Sequence, residues 1–174
     1  MKILSFGAST SSTSINRRFA RYAAGQVPGA QVTDLDLREF ELPIYSADEE
    51  AANGAPADAQ RFLDLIRAHD ALVVSLAEHN GSYSAAFKNP HDWTTRIEKN
   101  LWSGKPMLLL STSPGGRGGA TVMEAGKATF PRMGADLKAH FSLPNFGQSF
   151  ADADGITDAA LRADFEAALA TFVA

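Results

Sequence analysis

Two near-continuous apolar runs place the strongest constraint on the fold of this chain. They read ALVVSLA at residues 71–77 and PMLLLS at residues 106–111, and each has the length of one β-strand. A strand that is apolar at nearly every position has both faces covered, as in a parallel sheet that lies between two layers of helices. The two runs therefore predict central strands of such a sheet.

Strand-like and helical patterns alternate along the rest of the chain. Short apolar or alternating runs predict further strands at residues 2–7, 31–37 and 137–143, and the second of these should lie near a sheet edge. Helical spacing predicts helices at 15–24, 57–68, 84–96, 121–133 and 158–173, whereas residues 38–56 read as a long surface connection. Pro90 should kink its helix or restart it with Asn89 as cap, and Thr157 should cap the last helix. This alternation predicts an α/β fold, a flavodoxin-like three-layer sandwich with a five-stranded parallel sheet in the order 2-1-3-4-5.

Length and composition narrow the class of protein. The 174 residues are 45% hydrophobic, which suits a single domain over residues 1–174. A net charge of -4 with scattered Lys and Arg gives nucleic acid or an anionic membrane nothing to bind. No cysteine is present, which excludes disulfides and thiol nucleophiles, and the scattered histidines predict no metal site. The opening MKILSF lacks a signal-peptide pattern, so we expect a cytoplasmic protein.

Three unusual loops follow the first, third and fourth predicted strands. Residues 7–16 are rich in Ser and Thr, residues 78–83 are polar, and residues 113–119 hold four glycines around Arg117. In this fold ligands bind beyond the carboxyl ends of the strands, where the strand order reverses. The first loop precedes a helix, so it either binds a phosphate at the helix N-terminus or simply makes a turn that Ser14 caps. The glycines cost conformational entropy, and we attribute them to the close approach of a flat ligand.

The same loops carry a resemblance to a known family. The segment Ser14, Asn16 and Ala20, the segments 77–82 (AEHNGS) and 87–93 (FKNPHDW), and Lys105 with 113–119 (SPGGRGG) resemble motifs of the NAD(P)H-dependent FMN reductases. This family of flavodoxin-like oxidoreductases also contains quinone, azo-dye and chromate reductases. The resemblance covers roughly residues 1–145, with three motifs in the family's order. Ala77, His79 and Pro90 depart from its pattern, and Thr10 stands where an arginine is common.

The resemblance implies a set of residues that bind the cofactor FMN. Ser9, Ser14 and Asn16 would hold its phosphate, with Thr10 and Ile15 in the same loop. Glu78, Asn80 and Gly81 would line one side of the isoalloxazine, together with His79 unless that side chain is merely exposed. The third loop would face the pyrimidine end through Ser113, Gly115 and Gly116. Arg117 either binds the phosphates of the nicotinamide nucleotide or is a plain surface charge.

The activity implied is that of an FMN-dependent oxidoreductase. Such an enzyme transfers hydride from NADPH or NADH through FMN to a free flavin, a quinone or a related small aromatic acceptor, and it needs no catalytic side chain. Two alternatives share the fold: a flavodoxin-type FMN electron carrier without NAD(P)H turnover, and a flavin-free nucleotide-binding domain. The resemblance also implies a homodimer or homotetramer, with residues 90–102 as a contact. Within that segment Trp93 and Trp102 could lie in the core or at the subunit interface.

Overall fold

A five-stranded parallel sheet organises the chain. A computed structural model describes all residues from Met1 to Ala174. The strands of the sheet are β1 (Lys2–Gly7), β2 (Gln31–Leu35), β3 (Ala71–Leu76), β4 (Pro106–Thr112) and β5 (Asp136–Leu143). Their spatial order is β2-β1-β3-β4-β5, and every neighbouring pair is parallel. The predicted flavodoxin-like strand order is confirmed, with β2 at an edge.

Helices connect the strands and cover both faces of the sheet. They are α1 (Ile15–Gly25), α2 (Ala47–Asn53), α3 (Ala57–Ala68), α4 (Ala85–Ile97), α5 (Ala120–Thr129), α6 (Phe146–Ser149) and α7 (Ala159–Val173). Short 3₁₀ turns lie at Leu37–Glu39 and Pro131–Met133. Two small hairpins add the strand pairs Glu78–His79 with Ser82–Tyr83 and Phe150–Ala151 with Gly155–Ile156. No helix combines the length and apolar character that a membrane span requires.

The strand β3 shows why the sheet must be covered on both sides. All six of its residues are buried. Leu72, Val74 and Leu76 belong to a core with residues of α3, α4 and α5, whereas Ala71 and Val73 belong to a second core with α1 and α7. Successive side chains of a strand point to opposite faces, so an all-apolar strand supplies both cores at once.

The structure differs from the sequence prediction at three places along the chain. Part of the predicted surface loop is the helix α2, which Ser46 caps and which buries no residue, so no apolar period marks it. Of the two outcomes expected at Pro90, the restarted helix is wrong: α4 is one helix that contains Pro90, and the Oδ1 of Asn89 accepts a hydrogen bond from the Tyr45 N–H instead of capping a new helix. The cap of α7 is Asp158 rather than Thr157, since the Asp158 carboxylate accepts from the N–H three residues later.

Both tryptophans are fully buried within the chain. The indole Nε1 of Trp93 donates to the carbonyl oxygen of Pro43 at 2.7 Å, which ties α4 to the segment before α2. Trp102 packs with Phe130, with ring centroids 4.7 Å apart. Of the two roles left open for these residues, the structure shows the core role.

Candidate functional site

The loops that follow β1, β3 and β4 meet at the carboxyl edge of the sheet and line an open cavity of about 240 Å³. This is the place where strand order reverses, because the chain moves outward from β1 to β2 and then returns to β3 on the other side. We name it the switch-point cavity. Its lining residues are Ser9, Ser11, Thr13, Ser14, Ile15, Asn16, Ala77, Glu78, His79, Thr112, Ser113 and Pro114.

The predicted site residues fall into two groups. The cavity is lined by Ser9, Ser14, Ile15, Asn16, Glu78, His79 and Ser113. The other predicted residues lie outside its wall: Thr10, Asn80, Gly81, Gly115, Gly116 and Arg117. Of these, Thr10 faces a separate apolar groove beside Leu37 and Phe40. The Nη2 of Arg117 donates to Thr121 Oγ1 at 2.7 Å on the exposed surface.

Residues that the sequence reasoning left out complete the cavity wall. They are Ser11, Thr13, Ala77, Thr112 and Pro114. Ser11 and Thr13 belong to the hydroxyl-rich loop, so its composition was a usable signal for them. Thr112 is the last residue of β4, and its position at the carboxyl end of a strand beside the switch point was the signal for it.

The first loop presents several unpaired donors to the cavity. Ser14 caps α1, and its Oγ accepts from the Arg17 N–H at 3.1 Å, which leaves the hydroxyl hydrogen free. The backbone N–H groups of Thr13, Ile15 and Asn16 have no partner within the protein. Free N–H groups at the N-terminus of an α-helix, together with the helix dipole, favour a bound anion.

Gly7 allows the first loop to lie where it does. A Cβ atom at this position would lie 2.6 Å from the Cα of Arg17, far inside van der Waals contact. The end of β1 and the first turn of α1 therefore touch through their backbones. This close approach places the N-terminus of α1 directly above the end of β1.

Asn16 joins the first helix to two strands of the sheet. Its buried Oδ1 accepts from Ser75 Oγ at 2.7 Å and from the Thr112 N–H at 3.1 Å, and its Nδ2 donates to the Thr112 carbonyl oxygen at 3.2 Å. An amide side chain has two donor hydrogens, so one remains unused. The Asn16 side chain thus uses three of its hydrogen bonds to hold α1, β3 and β4 together at the wall of the cavity.

Glu78 plays a similar part for the hairpin after β3. One oxygen of its carboxylate accepts from the N–H groups of Thr121 and Val122 at 2.9 and 3.0 Å, which caps the N-terminus of α5. Gly119, the N-cap residue of that helix, offers no side chain for this task. The carboxylate therefore fixes the hairpin to α5. The tip of the hairpin, Asn80 and Gly81, has the positive φ angles of 52° and 75° that a tight two-residue turn requires.

The glycine-rich loop divides into two parts with different roles. Gly118 and Gly119 have φ angles of 58° and 78°, and Cβ atoms there would lie 3.0 Å from Leu143 and 3.1 Å from Ser111. Their glycines are required by backbone conformation and packing, which corrects the attribution of all four to a ligand. A Cβ atom at Gly115 would meet no atom within 4 Å, and one at Gly116 would make only an ordinary contact with Asn145 at 3.7 Å. The N–H groups of both glycines have no protein partner.

The charged groups nearest the first loop lie on the outer side of α1. Arg17 donates from Nε to Asp34 at 3.1 Å and forms a second ion pair with Asp36. The pKa of Asp36 is lowered to about 2, chiefly because Arg38 hydrogen-bonds its carboxylate and also because Arg17 is close. The hydrogen bond with Asp34 raises the pKa of Arg17. Asp36 and Arg17 therefore stay ionised at neutral pH.

Comparison with known proteins identifies the family. The family model of NADPH-dependent FMN reductases matches residues 1–156. The chain belongs to this family. An NAD(P)H-dependent FMN reductase of Pseudomonas aeruginosa is 36% identical over 116 residues, which are 66% of this chain and 61% of that protein. A quinone reductase of Escherichia coli K12 is 31% identical over 107 residues, 62% of this chain and 57% of that protein. The chain thus spans about three fifths of the length of these curated relatives.

Solved structures show the same fold over nearly the whole chain. FerB, a flavoenzyme NAD(P)H:(acceptor) oxidoreductase of Paracoccus denitrificans, is 26% identical with a TM-score of 0.77, covering 99% of this chain and 94% of that one. A flavodoxin of Pseudomonas aeruginosa has a TM-score of 0.54 at 19% identity, covering 99% of this chain and 96% of its own. That second likeness concerns the fold alone.

Proposed function

We propose that this chain is an FMN-dependent NAD(P)H oxidoreductase that reduces a free flavin, a quinone or a related aromatic acceptor. Membership of the FMN reductase family supports this, as do similar proteins named FMN reductase and quinone reductase. The observation that carries the proposal is the switch-point cavity, where unpaired donors of the first loop face the loops after β3 and β4.

The residues present fit FMN. A phosphate needs donors, and the cavity offers the Ser14 hydroxyl and the free N–H groups of Thr13, Ile15 and Asn16. We assign the phosphate to these groups and to Ser9, so that its charge is met by uncharged donors and the helix dipole. Asn16 would contribute its backbone N–H and its one unused amide hydrogen.

The remaining loops would hold the ring system. FMN, when bound, supplies the redox chemistry: it takes hydride from NAD(P)H and passes electrons to an acceptor. The hairpin from Glu78 to Gly81 would orient one side of the ring. The free N–H groups of Gly115 and Gly116, beside Ser113, would stabilise negative charge at the pyrimidine end, as an oxyanion hole does. His79 is exposed at the cavity mouth, where a second aromatic molecule would enter.

The setting of the reaction follows from its substrates. NAD(P)H and small aromatic acceptors are found in the cytoplasm, where we place the protein.

We propose that residues 1–174 form one FMN-binding domain, since one sheet supplies both cores. We also propose that the protein forms a homodimer or homotetramer, and that the exposed side chains of residues 90–102 form part of the contact between subunits.

Absorbance spectra test the proposal directly. Protein mixed with FMN should keep a flavin absorbance spectrum after gel filtration, or should bind FMN in equilibrium dialysis. Addition of NADPH or NADH should then bleach the flavin absorbance. Steady oxidation of NAD(P)H in the presence of a quinone separates an enzyme from an electron carrier, which would be inert. Absence of any FMN binding would leave the flavin-free nucleotide-binding alternative.

A pair of capping serines tests the phosphate assignment. Ser14→Ala should weaken FMN binding by about 1–3 kcal/mol, because it removes one donor and loosens the first turn of α1. Ser46→Ala removes the equivalent cap of α2, away from the cavity, and should leave the FMN dissociation constant unchanged. Fluorescence titration measures both. Equal FMN affinities in the two variants would show that the phosphate does not bind at Ser14.

A further inference from the structure

A second cavity adjoins the first loop on the outer side of α1. It has a volume of about 260 Å³, and none of its lining residues is hydrophobic. Arg17, Arg18 and Arg21 border it, with Ser12 and Asp34. Thr13 and Ser14 line both this cavity and the switch-point cavity. We name it the arginine cleft. A ligand in one cavity is therefore within reach of the other.

The three arginines differ in how firmly they are paired. Arg17 is held by Asp34 and a neighbouring carboxylate. Arg18 donates from Nε and Nη2 to Asp152 at 3.0 and 2.8 Å, but the Asp152 side chain is 72% exposed. Arg21 has only Asp34 near it, at 4.0 Å, and its side chain is 65% exposed. Exposed ion pairs are weak, so the donors of Arg21 are open to an anion. The guanidinium of Arg18 lies 5.0 Å from the centre of the Phe146 ring, and its Nη1 has no partner within the protein.

The chemistry of the cleft suits a phosphate group. Guanidinium groups bind phosphate oxygens through two parallel hydrogen bonds, and the hydroxyls of Ser12 and Thr13 add neutral donors. Three arginines and one carboxylate line the cleft, and Asp36 and Asp152 pair with Arg17 and Arg18 from outside it. Arg21, with no carboxylate closer than 4.0 Å, is the arginine least neutralised by a partner. The cavity that Thr13 and Ser14 share with the proposed FMN phosphate site is lined on its other side by the cations of α1.

We propose that the arginine cleft is a second phosphate subsite, next to the one that takes the phosphate of FMN. This rests on the proposed function. Two ligands carry a phosphate of this kind: FAD, whose second phosphate extends from the position of the FMN phosphate, and NADPH, whose 2′-phosphate distinguishes it from NADH. Arg18 and Arg21 hold that group, and Arg17 sets the floor of the cleft.

Two ratios test the subsite and separate its sources. Arg18→Gln/Arg21→Gln is compared with wild type at low ionic strength, where charge contacts are least screened. A rise of at least about fivefold in the ratio of FAD to FMN dissociation constants identifies the dinucleotide, since a lost charged contact costs that much. A similar rise in the ratio of NADPH to NADH KM values identifies the 2′-phosphate. If both ratios stay within about twofold of wild type, the proposal is wrong.

Controls separate the cleft from general charge and from the proposed function. Arg132→Gln removes one exposed positive charge near the 3₁₀ turn after α5, remote from both cavities, and Arg21→Gln is its single-charge match. Equal ratio changes in this matched pair would overturn the subsite. Should wild type bind no FMN, the proposed function fails by itself, and inorganic phosphate becomes the probe. A smaller phosphate-induced rise in Tm for the double variant then supports the cleft, and an equal rise refutes it.

Discussion

Asn16→Ala tests whether the first helix and the sheet are held together at the candidate site. The substitution leaves three buried groups without their partner: the Ser75 hydroxyl, the Thr112 N–H and the Thr112 carbonyl. Each unsatisfied buried polar group costs about 1–3 kcal/mol. The hydroxyl can rotate to another acceptor, and water in the adjoining cavity can reach Thr112. We therefore expect a loss of about 2–4 kcal/mol, near the single-group cost rather than three times it.

Urea unfolding of the FMN-free protein measures this loss, with the fluorescence of the two buried tryptophans as the signal. Ser75→Ala removes only one of the three bonds and should cost about 0.5–1.5 kcal/mol. The double variant should be less destabilised than the sum of the singles, because both remove the same bond. Asn53→Ala deletes an exposed amide bonded only to Glu49 and should change stability by less than about 0.5 kcal/mol. A loss for Asn16→Ala no larger than that for Ser75→Ala would refute the reasoning.

Three further perturbations address other contacts of the site. Glu78→Ala should lower the free energy of unfolding by about 1.5–3 kcal/mol, and Glu78→Gln by less, because the amide oxygen still caps α5; equal losses in chemical denaturation would contradict this. Gly7→Ala should cost more than about 3 kcal/mol or prevent folding, whereas Gly25→Ala, with no atom within 4 Å of the added Cβ, should be neutral or stabilising; thermal melts compare them. Asp36→Asn should destabilise the protein at neutral pH. Because the pKa of Asp36 is lowered from 3.8 to about 2, the difference in stability from wild type should disappear as pH falls from about 4 to about 2. A constant difference over that pH range in urea unfolding would rule out the Arg38 pairing as its source.

The resemblance and the loop chemistry predicted which three loops meet around a cavity better than they predicted the contacts that each loop makes. The three loops could be placed at one edge of the sheet because the carboxyl ends of parallel strands lie together. Their detailed roles were not predictable. Glu78 lines the cavity as expected, but no local pattern indicated that its carboxylate also caps a helix more than forty residues later in the chain. Gly118 and Gly119 were expected to serve a ligand, yet they have positive φ angles and pack against Leu143 at the end of β5 and Ser111 of β4.

Local patterns in the sequence are enough to predict the parallel sheet and most of the helices that cover it. The all-apolar runs that became β3 and β4, the alternation of strand and helix, and Ser14 at the start of α1 are signals contained within a few neighbouring residues, and they specify local structure without help from the rest of the chain. They also fix the topology, because right-handed crossovers between parallel strands leave few arrangements.

Which polar groups remain without a partner depends on contacts between distant parts of the chain. Asn16 meets Thr112, a residue 96 positions away, only because α1 and the end of β4 meet above the sheet. The same folding brings Arg21 close to a single carboxylate and leaves it exposed. Hydrogen-bond partners distant in sequence carry no local pattern, so whether a side chain braces the fold or awaits a ligand is settled when the strands align.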